Sequence, residues 1–143
     1  MVGKTEYGGL SETYRFLAEA CLYQGKMIEA LEAARAALRE GIATETQEFI
    51  GAAWRVLGQV AARFPALAAI EDAQTRDAEG CFKESLRIFT EFGMEAERAR
   101  TLREWAGYEE ERGQPLRAEV MNKEEREIFE RLGMQFEVER MKD

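Results

Sequence analysis

The feature that most constrains this chain is an internal repeat. The segment RIFTEFGMEAERAR, residues 87–100, realigns with EIFERLGMQFEVER, residues 127–140, at an offset of 40 residues. Ile88, Phe89, Gly93, Met94, Glu97 and Arg100 meet Ile128, Phe129, Gly133, Met134, Glu137 and Arg140, six identities in fourteen positions. A unit of that length has room for two helices and a turn. One helix pair cannot bury its own apolar stripe, so repeated pairs must stack and share a continuous core. A helical array is therefore the expected fold, in 143 residues that allow one domain.

Apolar spacing supports helices nearly throughout, and no segment alternates as a strand does. Tyr14, Leu17, Ala18, Cys21 and Leu22 mark a first helix, with Ser11 as its expected N-cap and Gly25 as its stop. The second runs from about Met27 to Glu40, with Gly41 expected at the left-handed position beyond its end. Thr44-Glu45-Thr46-Gln47 has capping-box spacing and opens a third helix that Pro65 ends near Phe64. The fourth is clear over Ala78–Phe92, and Gly93 stops it. A fifth spans about Glu95–Arg112, before Gly113; a sixth runs from Pro115, suited to a first turn, to Leu132 before Gly133. A short seventh, Gln135–Lys142, is expected as a cap. Residues 65–77 hold an insertion whose form the pattern leaves open.

A finer register spans three units. Ala18, Gly58 and Ala106 share one small slot; Leu17, Leu57 and Trp105 precede it by one, and Tyr14, Trp54 and Leu102 by four. Gly25, Pro65 and Gly113 follow it by seven, and Ala30 and Ala118 follow the turns of the first and third units. This pattern resembles the tetratricopeptide repeat, best in residues 13–41, and the resemblance covers residues 11–133. It implies an all-α, right-handed solenoid of about three helical hairpins with a short C-terminal capping helix. The units would be residues 11–43, 44–93 and 94–133, with a flexible leader at 1–10 and the cap at 134–143. Asn122 and Glu125 depart from the small and apolar residues that the family prefers, so the last hairpin is expected to pack loosely. The longer period also resembles the helical repeats at the C-terminal end of bacterial cyclase-type and ATPase-type signalling regulators. That implies a piece of a larger protein.

Composition narrows the chemistry. The chain has no His, which removes the commonest catalytic base and zinc ligand together. Two Cys are too few for a disulfide framework, and they fit reduced thiols and a cytoplasmic setting. A net charge of −8 argues against nucleic-acid binding, and the most apolar run, residues 64–70, is too short for a membrane span. Gly3-Lys4-Thr5 echoes the end of a phosphate-binding loop but lacks its first glycine and strand. Cys21 and Cys81 read as small core residues, Trp54 and Trp105 as core aromatics, and Glu109–Glu111 as a solvated helix end. No enzyme and no cofactor are implied.

One constellation remains. The residue after Tyr14, Trp54 and Leu102 is Arg15, Arg55 and Arg103, the same slot in three units. Arg100 lies three residues before Arg103, and Gln59 and Arg63 continue the face of Arg55 at four-residue steps. In the family that this resembles, the slot lines the concave groove. The expected function is thus a protein-interaction module holding an acidic peptide or a partner helix on a basic lane. Guanidinium forks suit carboxylates, unless neighbouring glutamates such as Glu12, Glu19, Glu104 and Glu110 neutralise them. The alternatives are self-association into a homo-oligomer, and sensing of a small anion or metabolite among the arginines.

Overall fold

The computed structural model describes residues 3–66 and 77–134, and every regular element in them is a helix. The order is α1 (Gly3–Tyr23), α2 (Met27–Ala43), α3 (Gln47–Arg63), α4 (Ala78–Glu91), α5 (Glu95–Glu111) and α6 (Pro115–Arg131). The insertion after Pro65 and the expected cap lie largely outside the described residues. No described helix is long and apolar enough to cross a membrane.

Consecutive helices pack against one another all along the chain. In addition the backbones of α1 and α3, and of α3 and α5, approach closely, whereas those of α2, α4 and α6 stay apart; α4 and α6 meet through side chains, as where Arg117 reaches Glu79 at 3.2 Å. The core follows that order. Ala18, Ala30, Ala34, Ala37, Ala53 and Val60 bury completely between the first three helices. Phe82 stacks on Trp105, ring centroids 6.2 Å apart, where α4 meets α5. Leu102, Ile128 and Phe129 close the α5–α6 pair.

Four turns end as the sequence predicts. Gly25, Gly93, Gly113 and Gly133 all have positive φ, between 67° and 80°. In each the following residue's N–H reaches back to a carbonyl of the last turn, as Met94 does to Phe89 at 2.8 Å and Met134 to Phe129 at 2.9 Å. That satisfies carbonyls that a helix end otherwise leaves bare.

Several local expectations are corrected. α1 starts at Gly3, so the expected flexible leader is helical from that residue, and Ser11 is not an N-cap. Its buried hydroxyl instead donates to the Ala37 carbonyl at 2.9 Å and ties α1 to α2. Gly41 lies inside α2, where a Cβ would come within 3.1 Å of the Ile50 nitrogen, so its smallness serves close packing. The left-handed residue after α2 is Glu45, φ 52°. Thr46, not Thr44, stands at the N-cap position of α3, but neither makes a side-chain cap: the Thr46 hydroxyl donates to the Thr44 carbonyl at 3.2 Å, and the Thr44 hydroxyl returns to the Glu40 carbonyl at 3.0 Å. α4 has a cap that the apolar pattern does not reveal: Asp77 accepts from the Gly80 N–H at 2.7 Å.

Leu17, whose apolar spacing and repeat slot predict a core position, is exposed, while Tyr14 and Leu86 are half-buried. Glu109, expected in a solvated run, is fully buried beneath Arg117 and Arg112, its carboxylate oxygens 3.3 and 3.8 Å from them. Glu125 is buried too, and Arg103 holds it at 2.6 Å. The third hairpin therefore does not pack loosely at its polar departure, because an ion pair occupies the slot.

Candidate functional site

The arginine slot sits on the faces that α1, α3 and α5 turn toward one another. Arg15 is near enough to Arg55 to oppose its charge, and Glu104 senses Arg55, Arg103 and Glu19 together. The expected lane is thus one neighbourhood, but it is not basic. Arg15 pairs with Glu19 at 3.3 Å and Glu12 at 3.8 Å, both on its own helix. Arg55 is buried and pairs with Glu97 across the α3–α5 contact at 3.0 Å. Arg100 pairs with Glu97 as well, and Arg103 holds Glu125 on α6. Gln59 donates to Glu104 at 3.1 Å.

Of the six residues expected to bind a partner, Arg63 is the arginine that forms no ion pair with a described carboxylate. It donates to the Leu22 carbonyl at 3.2 Å and lies over the Phe64 ring, 5.5 Å from its centroid. The correction has a plain cause. Carboxylates stand at three- and four-residue spacing around Arg15 and Arg100, and the hairpin and stacking partners supply Glu125 and Glu97.

Burial sets the electrostatics. Desolvation pushes the Arg55 guanidinium below its ordinary pKa, against the pull of Glu97. Burial also raises Glu97, but the charges and hydrogen bonds of Arg55 and Arg100 outweigh it, and its carboxyl stays below the ordinary value. Glu104 goes the other way. Burial dominates and lifts its pKa, despite Arg55, the Gln59 hydrogen bond and Arg103.

Between α3 and α5 the same neighbourhood opens into a cleft of about 250 Å³. Gln59, Ala62 and Arg63 form the α3 wall, with Leu22 from α1 at one end and Phe82 from α4 at the base. The α5 wall is Glu104, Gly107, Tyr108 and Glu111. Those four lie at i, i+3, i+4 and i+7, one face of the helix. Sequence reasoning placed Gln59 and Arg63 here and missed the α5 wall. Its one visible signal was Gly107, a glycine inside a helical pattern.

Among the described residues, the cleft lining holds no Ser, Thr, Cys or Lys, and no group of three His, Cys, Asp or Glu side chains could hold a metal ion. Comparison with protein-family models, curated proteins and solved structures finds no match.

Proposed function

We propose that the chain is a non-catalytic, tetratricopeptide-like interaction module, and that it receives a peptide or partner helix on the face formed by α1, α3 and α5. The observation that carries this reading is the one-sided contact order, with the cleft on the crowded side. Helices whose backbones approach on one side and stand further apart on the other bow toward the side of closer approach. The 40-residue period and the shared small slot support a stack of hairpins with that bow. The partner segment carries mixed charge, since most arginines on this face already hold carboxylates. Arg63 is left to meet an acidic group. For the same reason the anion-sensing alternative loses its ligands.

The test is selection from a library of random twelve-residue peptides against the immobilised chain, followed by calorimetry. Selected peptides should bind at least tenfold more weakly to Gly107→Trp, which fills the cleft from a position with nothing within 4 Å. Equal binding to that variant refutes the groove assignment.

One observation favours a second reading, self-association. α1 exposes Leu10, Phe16, Leu17 and Tyr23, with Tyr23 at 91%. Exposed apolar surface marks a contact site where it is contiguous. A second copy covering that stripe would make the mass measured by light scattering rise with concentration, and Phe16→Glu would abolish the rise. A constant monomer mass at tens of micromolar excludes it.

A further inference from the structure

We infer that the cleft between α3 and α5 is a seat for one cationic side chain, a lysine or an arginine, of the partner segment. This rests on the interaction reading above and adds the chemistry of its central contact.

The α5 wall is two carboxylates with bare backbone between them. Glu104 and Glu111 are seven residues apart, about 10 Å along the axis. Midway, Gly107 presents no side chain, and the place where a Cβ would stand has nothing within 4 Å. A glycine inside a helix is less favourable than alanine, and what it offers here is close approach to the helix backbone. Tyr108, half-buried on the α5 wall, gives an alkyl stem an apolar surface to lie on, and the buried Phe82 ring backs it, centroids 6.1 Å apart.

The charges are unbalanced in the direction that a cation would correct. Among the described lining residues Arg63 is the one cation against the two carboxylates Glu104 and Glu111, and one of its N–H groups already donates to the Leu22 carbonyl. Glu111 forms no ion pair with a described residue. One oxygen of Glu104 accepts from Gln59, whereas a carboxylate has about four acceptor sites. Burial already disfavours the Glu104 charge, which an arriving ammonium or guanidinium would stabilise. At about 250 Å³ the cleft lies below the ~300–1,000 Å³ of ordinary small-molecule pockets and matches one long side chain. The net charge of −8 favours a basic partner at longer range.

The experiment offers the full chain two pools of synthetic twelve-residue peptides. They are random except at one central position, lysine in one pool and the uncharged norleucine in the other. Retention is measured on the wild-type protein and on Glu104→Gln, Glu111→Gln, Gly107→Trp and Glu130→Gln. Circular dichroism confirms that each is folded. The last variant makes the same charge change at an exposed site on α6, away from the cleft. The lysine pool should be retained at least fivefold over the norleucine pool on wild type and on Glu130→Gln. The ratio should fall to near one on Glu111→Gln and Glu104→Gln, and Gly107→Trp should release both pools. Glu111 is exposed, so its variant carries the test even if Glu104→Gln fails to fold. If both pools are held equally and Gly107→Trp releases both, the groove stands and the cationic seat is wrong. If Glu130→Gln removes the preference as fully as Glu111→Gln, the attraction is general charge and the seat is wrong. Retention of neither pool, or retention indifferent to Gly107→Trp, overturns the seat and the groove together.

Discussion

Removing Glu97 while leaving Arg55 in place strips a buried guanidinium of its main counter-charge. Arg55 is 8% exposed, and its Nη1 lies 3.0 Å from a Glu97 carboxylate oxygen. At an effective dielectric of about 20, two unit charges at that distance attract by about 5–6 kcal/mol, most of it spent on desolvation. Losing one partner leaves the desolvation uncompensated, so Glu97→Ala should destabilise the fold by about 3–5 kcal/mol. In a domain of this size that lowers the melting midpoint by roughly 10–15 °C. Arg55→Met removes the buried charge and keeps the length of the stem, while Glu97 retains Arg100. Its cost should stay within about 1.5 kcal/mol, and the double variant should be more stable than Glu97→Ala alone. Thermal and urea unfolding at pH 7, followed by circular dichroism, measures all three. The pH dependence follows from the depressed Glu97 pKa, whose ordinary value is 4.5. A carboxylate held below that value adds stability that is complete above it and lost as pH falls through the folded-state value. The gap between wild type and Glu97→Ala should therefore narrow in acid. A loss below about 1 kcal/mol for Glu97→Ala, or an equal loss for Arg55→Met, would refute the argument that the pair holds α3 to α5.

Glu104 should behave oppositely. Burial raises its pKa, so folding favours the neutral form; that contribution is complete below the unfolded-state value and lost as pH rises through the folded one. Glu104→Gln should match or exceed wild-type stability at pH 7, with the difference vanishing in acid; urea midpoints across pH 3–7 measure this. Gly107→Ala should stabilise by about 0.5–1 kcal/mol in thermal melts, because the position is helical, exposed and open. Gly58→Ala should cost about 1–3 kcal/mol, since its Cβ would stand 2.7 Å from the Phe82 ring; an unchanged midpoint would mean that α3 and α4 do not pack this closely.

What was legible in the sequence was what a single residue dictates to its own backbone. Gly25, Gly93, Gly113 and Gly133 were readable because only a residue without a Cβ takes positive φ at no cost. Gly41 was misread because the same letter answers a second demand, close helix approach, and the true left-handed residue is Glu45. Leu17 was misplaced because a repeat slot reports burial only where a neighbouring helix covers it, and none of the described helices covers that side of α1. The arginines were found, but the pairings of Arg55 with Glu97 and Arg103 with Glu125 were not. Their partners stand 42 and 22 residues away, on helices that only the fold brings opposite. Glu109 was hidden for the same reason, since Arg117 reaches it from the next helix.

The arginine slot and the 40-residue repeat turn out to describe one contact. Arg55 lies over the ring of Phe89 at 5.7 Å and Arg103 over that of Phe129 at 5.4 Å. Phe89 and Phe129 are the pair that the offset of 40 aligns. In each of these hairpins the arginine of the first helix thus covers the phenylalanine of the second, and a glutamate holds its outer end. The first hairpin has Gly41 where that ring would stand, by the shift that carries Arg15 onto Arg103. Without a ring to cover, Arg15 turns to its own helix, 4.5 Å over Phe16 and between Glu12 and Glu19. Both of those glutamates are nearly half exposed, at 47% and 44%, so salt weakens their hold on Arg15 far more than that of Glu97 on Arg55. Recurrence of a basic residue at one slot therefore reflects how a hairpin closes. The part of this surface free to meet a partner is the stretch where the pairing lapses, between Arg63 and Glu111.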